Sequence, residues 1–257
     1  MKKHRWIAAI LAMVMALAVA GCSNPSSGNE STTGSSGESG NSSGAGNSGV
    51  DYSKCVVGDF VLKDGTILSK DSTPEGGTVA AVIVRAATSD KPALGVGIVH
   101  NRIGLAWCTV SATGYSKNIT ALHGDKTSGY TDGSYGWEKL KEACSDAESN
   151  PEKYLAWNYS LTYAKTNGLT GELSKNWYLP TVAELYTIYQ NKTVVDERLS
   201  KAGGSTFGTG AYWSCCENPS SSSDARGLFF SYGSMYHDFK SNMYGCNYCV
   251  CSVRAFN

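Results

Sequence analysis

Side chains able to hold a metal or attack a substrate gather near the C-terminal end of the chain, where His237, Cys246, Cys249 and Cys251 lie within fifteen positions. Cys and His at short spacing suit zinc, and Cys246-x-x-Cys249 has the spacing of a zinc half-site. A closed zinc centre needs a second half-site, and none appears at the usual distance. No metal and no cofactor are therefore assigned. His100, His123 and His237 are the histidines beyond His4, and none has an acid or a nucleophile at a telling spacing. General-base and nucleophilic catalysis lack a candidate, and the chain reads as a non-enzyme.

The same stretch carries a different kind of chemistry. Between Arg226 and Ser252 the sequence concentrates Tyr232, Tyr236, Tyr244 and Tyr248, with Met235, Phe239 and Met243, in a background of Ser, Gly, Asn and Cys. Tyr supplies rigid contact area with a polar tip, and Ser, Gly and Asn supply adaptable hydrogen bonds, the mixture found in antibody paratopes. Turns alone favour Gly, Asn and Ser but do not need tyrosines or methionines. The candidate ligand-binding side chains are Trp213, which adjoins a candidate variable region 215–252, and within that region Cys215, Arg226, Tyr232, Met235, Tyr236, His237, Asp238, Tyr244, Asn247 and Tyr248.

The elements that must position these residues fall into three blocks. Gly58 to Thr66 reads as a strand turning at Asp64-Gly65, followed by apolar strands at Thr78 to Ala86, Ala93 to His100 and Leu105 to Val110. The middle is helical: Trp137 to Ala147, then a helix capped by Asn150 with Pro151 at its first position and running to about Asn167-Gly168. Thr181 and Glu184 form a capping box ahead of a helix to about Gln190, and Val194 to Ala202 continues as a further helix. Ala211 to Cys216, Ala225 to Tyr232, Tyr236 to Lys240 and Cys249 to Phe256 are four more short strands. Strands, helices and strands again imply an α+β class. Trp107, Trp137, Trp157 and Trp177 each sit among apolar residues and are expected in the core.

Trp177-x-Leu179-Pro180-Thr181-x-x-Glu184-Leu185, then Tyr212-Trp213-Ser214, Gly227-Leu228-Phe229-Phe230 and Val253-Arg254 resemble the domain found at the C-terminus of Legionella-type collagen-like adhesins. That domain is related to the formylglycine-generating-enzyme branch of the C-type lectin fold. The resemblance covers roughly residues 58–256. The Tyr-rich stretch between Trp213 and Val253-Arg254-Ala255-Phe256 resembles the variable region of target proteins of diversity-generating retroelements, of the treponemal lipoprotein type. The resemblance implies a C-type lectin-like domain whose binding surface is diversified, for an unknown protein or glycan ligand. Calcium-dependent sugar binding is not implied, since Glu217-Asn218-Pro219 is not the Glu-Pro-Asn order of calcium lectins. The alternatives are a fixed-specificity adhesin or structural envelope lipoprotein of the same fold and, third, a cysteine-dependent oxidase, although Cys246 to Cys251 lacks the frame such enzymes use.

The N-terminal end sets the location. Lys2, Lys3 and Arg5 precede an apolar run from Trp6 to Ala20 that is short for a membrane span and reads as a signal peptide, residues 1–21. Leu17-Ala18-Val19-Ala20-Gly21-Cys22 resembles the lipobox of bacterial lipoproteins, which implies a lipid on Cys22 and a place in the cell envelope, in the outer membrane facing outward. Residues 22–50 are Ser-, Gly- and Asn-rich and cannot offset their ordering entropy, so they are expected to be a disordered linker. As a flexible coil this linker would reach about 30 Å. Residues 51–257 are long enough for one well-buried core. Removing Lys2, Lys3 and Arg5 from 22 basic residues leaves 19 against 22 acidic ones, so nothing marks a nucleic-acid surface. Eight cysteines remain beside Cys22 and their pairing cannot be deduced. Cys249 and Cys251 point to one side of a strand and are poorly placed to bridge each other, and some thiols are expected to be free.

A surface built to change needs a core that does not. Trp177, Leu179, Leu185, Trp213, Leu228, Phe230, Val253 and Phe256 are therefore expected to be buried in one contact network, and Tyr232, Tyr236, His237, Asp238, Tyr244 and Tyr248 to be replaceable together. Strand alternation along Leu228 to Tyr232 would bury Tyr232 with Phe230, so pairing should break near Tyr232.

Overall fold

A computed structural model describes residues 49–242 and 248–257. Cys22, the N-terminal apolar run, the Ser/Gly stretch to residue 48, and Tyr244, Cys246 and Asn247 lie outside the described residues. Two antiparallel sheets and five helices build the described part, an α+β arrangement. In the first sheet the spatial order is β2 (Ile67–Leu68), β1 (Phe60–Leu62), β3 (Val79–Arg85), β4 (Ala93–Gly97), β8 (Val253–Phe256). The last strand thus closes onto the fourth, with Val96 opposite Val253 and Ala93 opposite Phe256. The second sheet is β5 (Ala211–Glu217), β6 (Asp224–Phe229) and β7 (Ser234–Phe239) in sequence order.

Both faces of the first sheet are covered. β3 is buried from Val79 to Val84, which is why it reads as an unbroken apolar run rather than an alternating one. One face joins the main core, with Val82, Leu94, Val96 and Val253, and the other packs Ile83, Ala93 and Phe256 against Tyr163 and Trp177. All eight expected frame residues are buried. They form two clusters rather than one network, because Trp177 and Phe256 lie on the far face of the sheet.

The helices are α1 (Gly136–Ala143), α2 (Leu155–Leu161), α3 (Tyr163–Thr166), α4 (Val182–Gln190) and α5 (Lys192–Lys201). α4 begins as its sequence requires: the Glu184 N–H donates to Thr181 Oγ1 at 3.1 Å and the Thr181 N–H to Glu184 Oε2 at 2.8 Å, a closed capping box. Four expectations fail. Asn150 makes no cap bond, and the expected helix from Pro151 to Asn167 breaks into a 3-10 turn, α2 and α3. Its aromatic load serves two cores, Trp157 in one and Tyr163 in the other, which a single straight helix face does not reach. Leu105 to Val110 is not a strand, since its main chain bonds singly to separate partners, the Cys108 N–H to Lys240 O and the Thr109 N–H to Lys153 O. Cys249 to Ser252 likewise precedes β8, with Cys249 and Val250 held in isolated bridges to Tyr212 and Asn101.

Candidate ligand-binding surface

The second sheet sorts the candidate residues by strand. β5 is buried along its whole length, whereas β7 is an edge strand with no buried residue. Side chains opposite each other across a pair lie on one face. Pairing of Arg226 with His237 and of Leu228 with Met235 therefore puts Arg226, Met235 and His237 together, and pairing of Gly227 with both Trp213 and Tyr236 puts Trp213 and Tyr236 on the other face.

The Trp213 face is a closed aromatic stack. Tyr248 stacks on Trp213 with centroids 4.6 Å apart, Tyr236 lies 5.5 Å from Tyr248, and Phe229 lies 4.7 Å from Tyr236. A Cβ on residue 227 would collide with the Tyr212 carbonyl and the Tyr236 ring, so glycine there lets Tyr236 lie across β6. The Tyr248 hydroxyl donates to Asp238, whose Oδ2 also accepts from Asn242 Nδ2 at 3.0 Å. Three assignments are corrected here. Trp213, Cys215 and Tyr248 are buried and present no side chain to a ligand. The reason is packing: β5 is the strand between helices and loops, and the chain after β7 folds Tyr248 back onto it. Tyr236 and Asp238 are partly buried and carry this stack, so they are not freely replaceable either.

On the opposite face Leu228 is buried and Arg226 and Met235 are partly buried, whereas His237 and the turn after β6 are open to solvent. β6 ends at Phe229, and Tyr232 in the following turn is 80% exposed while Phe230 is buried, as the alternation argument requires. His237 on β7 is exposed, with Nδ1 3.0 Å from Asp224 Oδ2. Arg226 Nη1 donates to the Gly124 carbonyl at 2.8 Å, which fixes the guanidinium beside the loop that precedes α1. Sequence reasoning missed three neighbours. Lys126 Nζ lies 4.8 Å over the Tyr186 ring and bonds the Gly233 carbonyl at 3.4 Å, and Tyr189 of α4 packs at Gly233. No motif joins residues 126, 186, 189 and 232, so only the fold brings them together. Arg226, Met235, His237 and Tyr232, rimmed by Lys126, Tyr186 and Tyr189, make a mixed cationic and aromatic surface suited to polar, partly apolar ligands.

A second feature missed in the sequence lies inside the 215–252 stretch. Lys240 and Glu217 are fully buried, with Nζ to Oε1 at 2.7 Å. Nζ also bonds the carbonyls of Gly114, Lys117 and Ser222 at 2.7–2.9 Å, while Glu217 Oε2 accepts from the Ile119 N–H at 2.6 Å. Burial raises the Glu217 carboxyl above its ordinary range, with Lys240 opposing. The two residues are 23 positions apart, and no spacing rule connects them.

His100 and the described cysteines are enclosed. His100 Nδ1 is 3.1 Å from the Tyr212 hydroxyl, and burial pushes its pKa down to about 3, so the ring is neutral. Cys55, Cys108, Cys144, Cys215, Cys216 and Cys251 are buried and form no disulfide among the described residues, and Cys249 is buried as well. Burial raises the Cys108 thiol to about 12 and the Cys55 thiol to about 11. Among the described residues no cluster of three His, Cys, Asp or Glu could hold a metal ion, and no helix is long and apolar enough to cross a membrane.

No family model matches the sequence, and no curated protein matches it. Among solved structures the chain is similar to a fimbrial protein from Bacteroides ovatus ATCC 8483, at a TM-score of 0.55 and 14% identity. The match covers 79% of this chain and 49% of that one, so the chain spans about half the length of that protein. At this identity the likeness is one of fold.

Proposed function

We propose that this is a surface-displayed, ligand-binding lipoprotein of the bacterial envelope, anchored through Cys22, whose β6–β7 hairpin presents a diversified surface on a C-type lectin-like domain of the formylglycine-generating-enzyme type. The observation that carries this reading is the contrast within one sheet: β5 fully buried, β7 without a buried residue. Such a contrast suits a fixed frame that displays changeable side chains. Burial removes Trp213, Cys215 and Tyr248 from the variable set and the aromatic stack removes Tyr236 and Asp238, which leaves the exposed Tyr232 and His237 with the partly buried Arg226 and Met235, joined by whatever Tyr244 and Asn247 contribute. The ligand is a protein or a glycan, bound without metal or cofactor, and no reaction is assigned.

Fixed-specificity adhesion is the second reading, favoured by the fimbrial protein's similar fold and by how much of 215–252 is buried. Sequencing the locus in several isolates separates the two. Diversification predicts substitutions concentrated at 226, 232, 235 and 237 with Trp213, Glu217, Lys240 and Tyr248 constant. Substitutions spread evenly over the surface would overturn it. Loss of membrane association on Cys22→Ser tests the anchor.

A further inference from the structure

We propose that the outer edge of β8 is a docking site for an extended peptide segment of another protein, which would add a strand beside Ala255 and present a basic residue to Asp132. The site is separate from the β6–β7 surface.

Hydrogen-bonding directions alternate along an antiparallel strand. The Gly97 N–H donates to Ser252 O, so Ser252, Arg254 and Phe256 direct their main chains toward β4. Val253 and Ala255 therefore direct theirs outward. Val253 is satisfied there by Tyr178, through bonds of 2.9 and 3.0 Å. Continued pairing would set Asn176 opposite Ala255. Asn176 instead has φ 66°, the only non-glycine with positive φ among the described residues, and this left-handed turn carries the chain away. Among the described residues nothing pairs with the outward N–H and C=O of Ala255. An unpaired edge of this kind is a template for a further strand.

What lies beyond the edge is a groove of about 680 Å³ whose walls include Tyr135, Trp137, Leu161 and Tyr178, with Ala255 and Asn176 along it. Tyr135 is 67% exposed. An incoming strand would find both ladder partners and aromatic walls for one row of its side chains. Asp132, Glu138 and Lys175 also line the groove; Glu138 pairs with Lys141 at 2.8 Å and Lys175 with Glu172 at 3.4 Å, so Asp132, with no ion-pair partner among the described residues, is the carboxylate that favours a basic residue on the partner.

Ala255→Pro is the diagnostic variant. It removes only the outward N–H and projects ring atoms into the groove, while the bonds to β4 come from residues 254 and 256, so an edge proline is tolerated. The probe is a labelled Lys-Val-Thr-Val-Thr-Val-Lys peptide, with Glu-Val-Thr-Val-Thr-Val-Glu as the charge control, followed by fluorescence anisotropy and amide hydrogen exchange. The Ala255 amide should exchange fast in the free protein while its neighbours 254 and 256 are protected, and the lysine peptide should slow it. Ala255→Pro should weaken binding about tenfold or more with an unchanged melting temperature, and the glutamate peptide should bind less well. Protection of the Ala255 amide without peptide would overturn the proposal, whether independent of concentration, when the chain covers its own edge, or rising with it, when a second copy does. So would failure of the lysine peptide to slow that amide at about 1 mM, or equal binding by Ala255→Pro.

Discussion

Replacing Lys240 by Met removes one of two opposite charges that the fold encloses in the candidate variable stretch. Nζ has four oxygen acceptors within 2.9 Å and sits 4.9 Å over the Trp107 ring, with no exposure to solvent. Methionine keeps much of the stem's packing, so the loss is mainly electrostatic. It leaves Glu217 as a buried carboxylate with the Ile119 N–H as its remaining donor, and leaves three carbonyls without Nζ. Breaking a buried pair from one side costs about 3–5 kcal/mol. Lys240→Met should therefore lower stability by that amount at pH 7, read as a fall in urea midpoint at constant m. Glu217→Gln in the Lys240→Met background should return about 2 kcal/mol, because an uncharged amide no longer needs a counter-ion. Lowering the pH should shrink the Lys240→Met penalty, since Glu217, already raised by burial, then protonates. A cost under about 1 kcal/mol, or single-mutant costs that simply add, would refute the reading of Lys240 and Glu217 as a coupled buried pair.

Tyr232→Ala with His237→Ala should leave the melting temperature nearly unchanged, each costing within about 0.5 kcal/mol, and abolish ligand binding, whereas Tyr248→Ala should cost about 3–5 kcal/mol by opening the stack on Trp213. Thermal scans of the three variants decide this. Burial raises Glu184 to about 7 and lowers His100 to about 3. The Glu184 contribution is present below about 4.5 and lost as pH rises toward 7, whereas that of His100 is present above about 6.5 and lost as pH falls toward 3. The slopes oppose each other between about 4.5 and 6.5, so Glu184→Gln should make the slope of stability against pH more positive there. Urea midpoints at four pH values suffice. Iodoacetamide on the folded protein at pH 8 should leave Cys55, Cys108 and Cys251 unmodified by peptide mass mapping, since burial raises all three thiols, and label them in denaturant.

Local rules explain what was readable in the residues alone. The Asp64-Gly65 turn, the Thr181–Glu184 capping box, α4 and α5, and the strands that open and close the chain rest on turn chemistry, helix caps and short-range periodicity, which need no distant partner. The end of β6 before Tyr232 was legible for the same reason, as a conflict between alternation and burial. Strand status failed at Leu105 to Val110 because its hydrogen-bond partners, Lys240 and Lys153, come from unrelated parts of the chain. The ligand-facing set was only half legible: composition marks a stretch, but which face of β6 and β7 opens to solvent depends on where Tyr248 folds back and on what α4 covers. Lys240 reads as a solvated lysine until β7 delivers it beside Glu217, and Ala255 is an ordinary strand residue until the left-handed turn at Asn176 leaves its edge unpaired. Pairing over long separations is a property of the closed fold, and no window of sequence contains it.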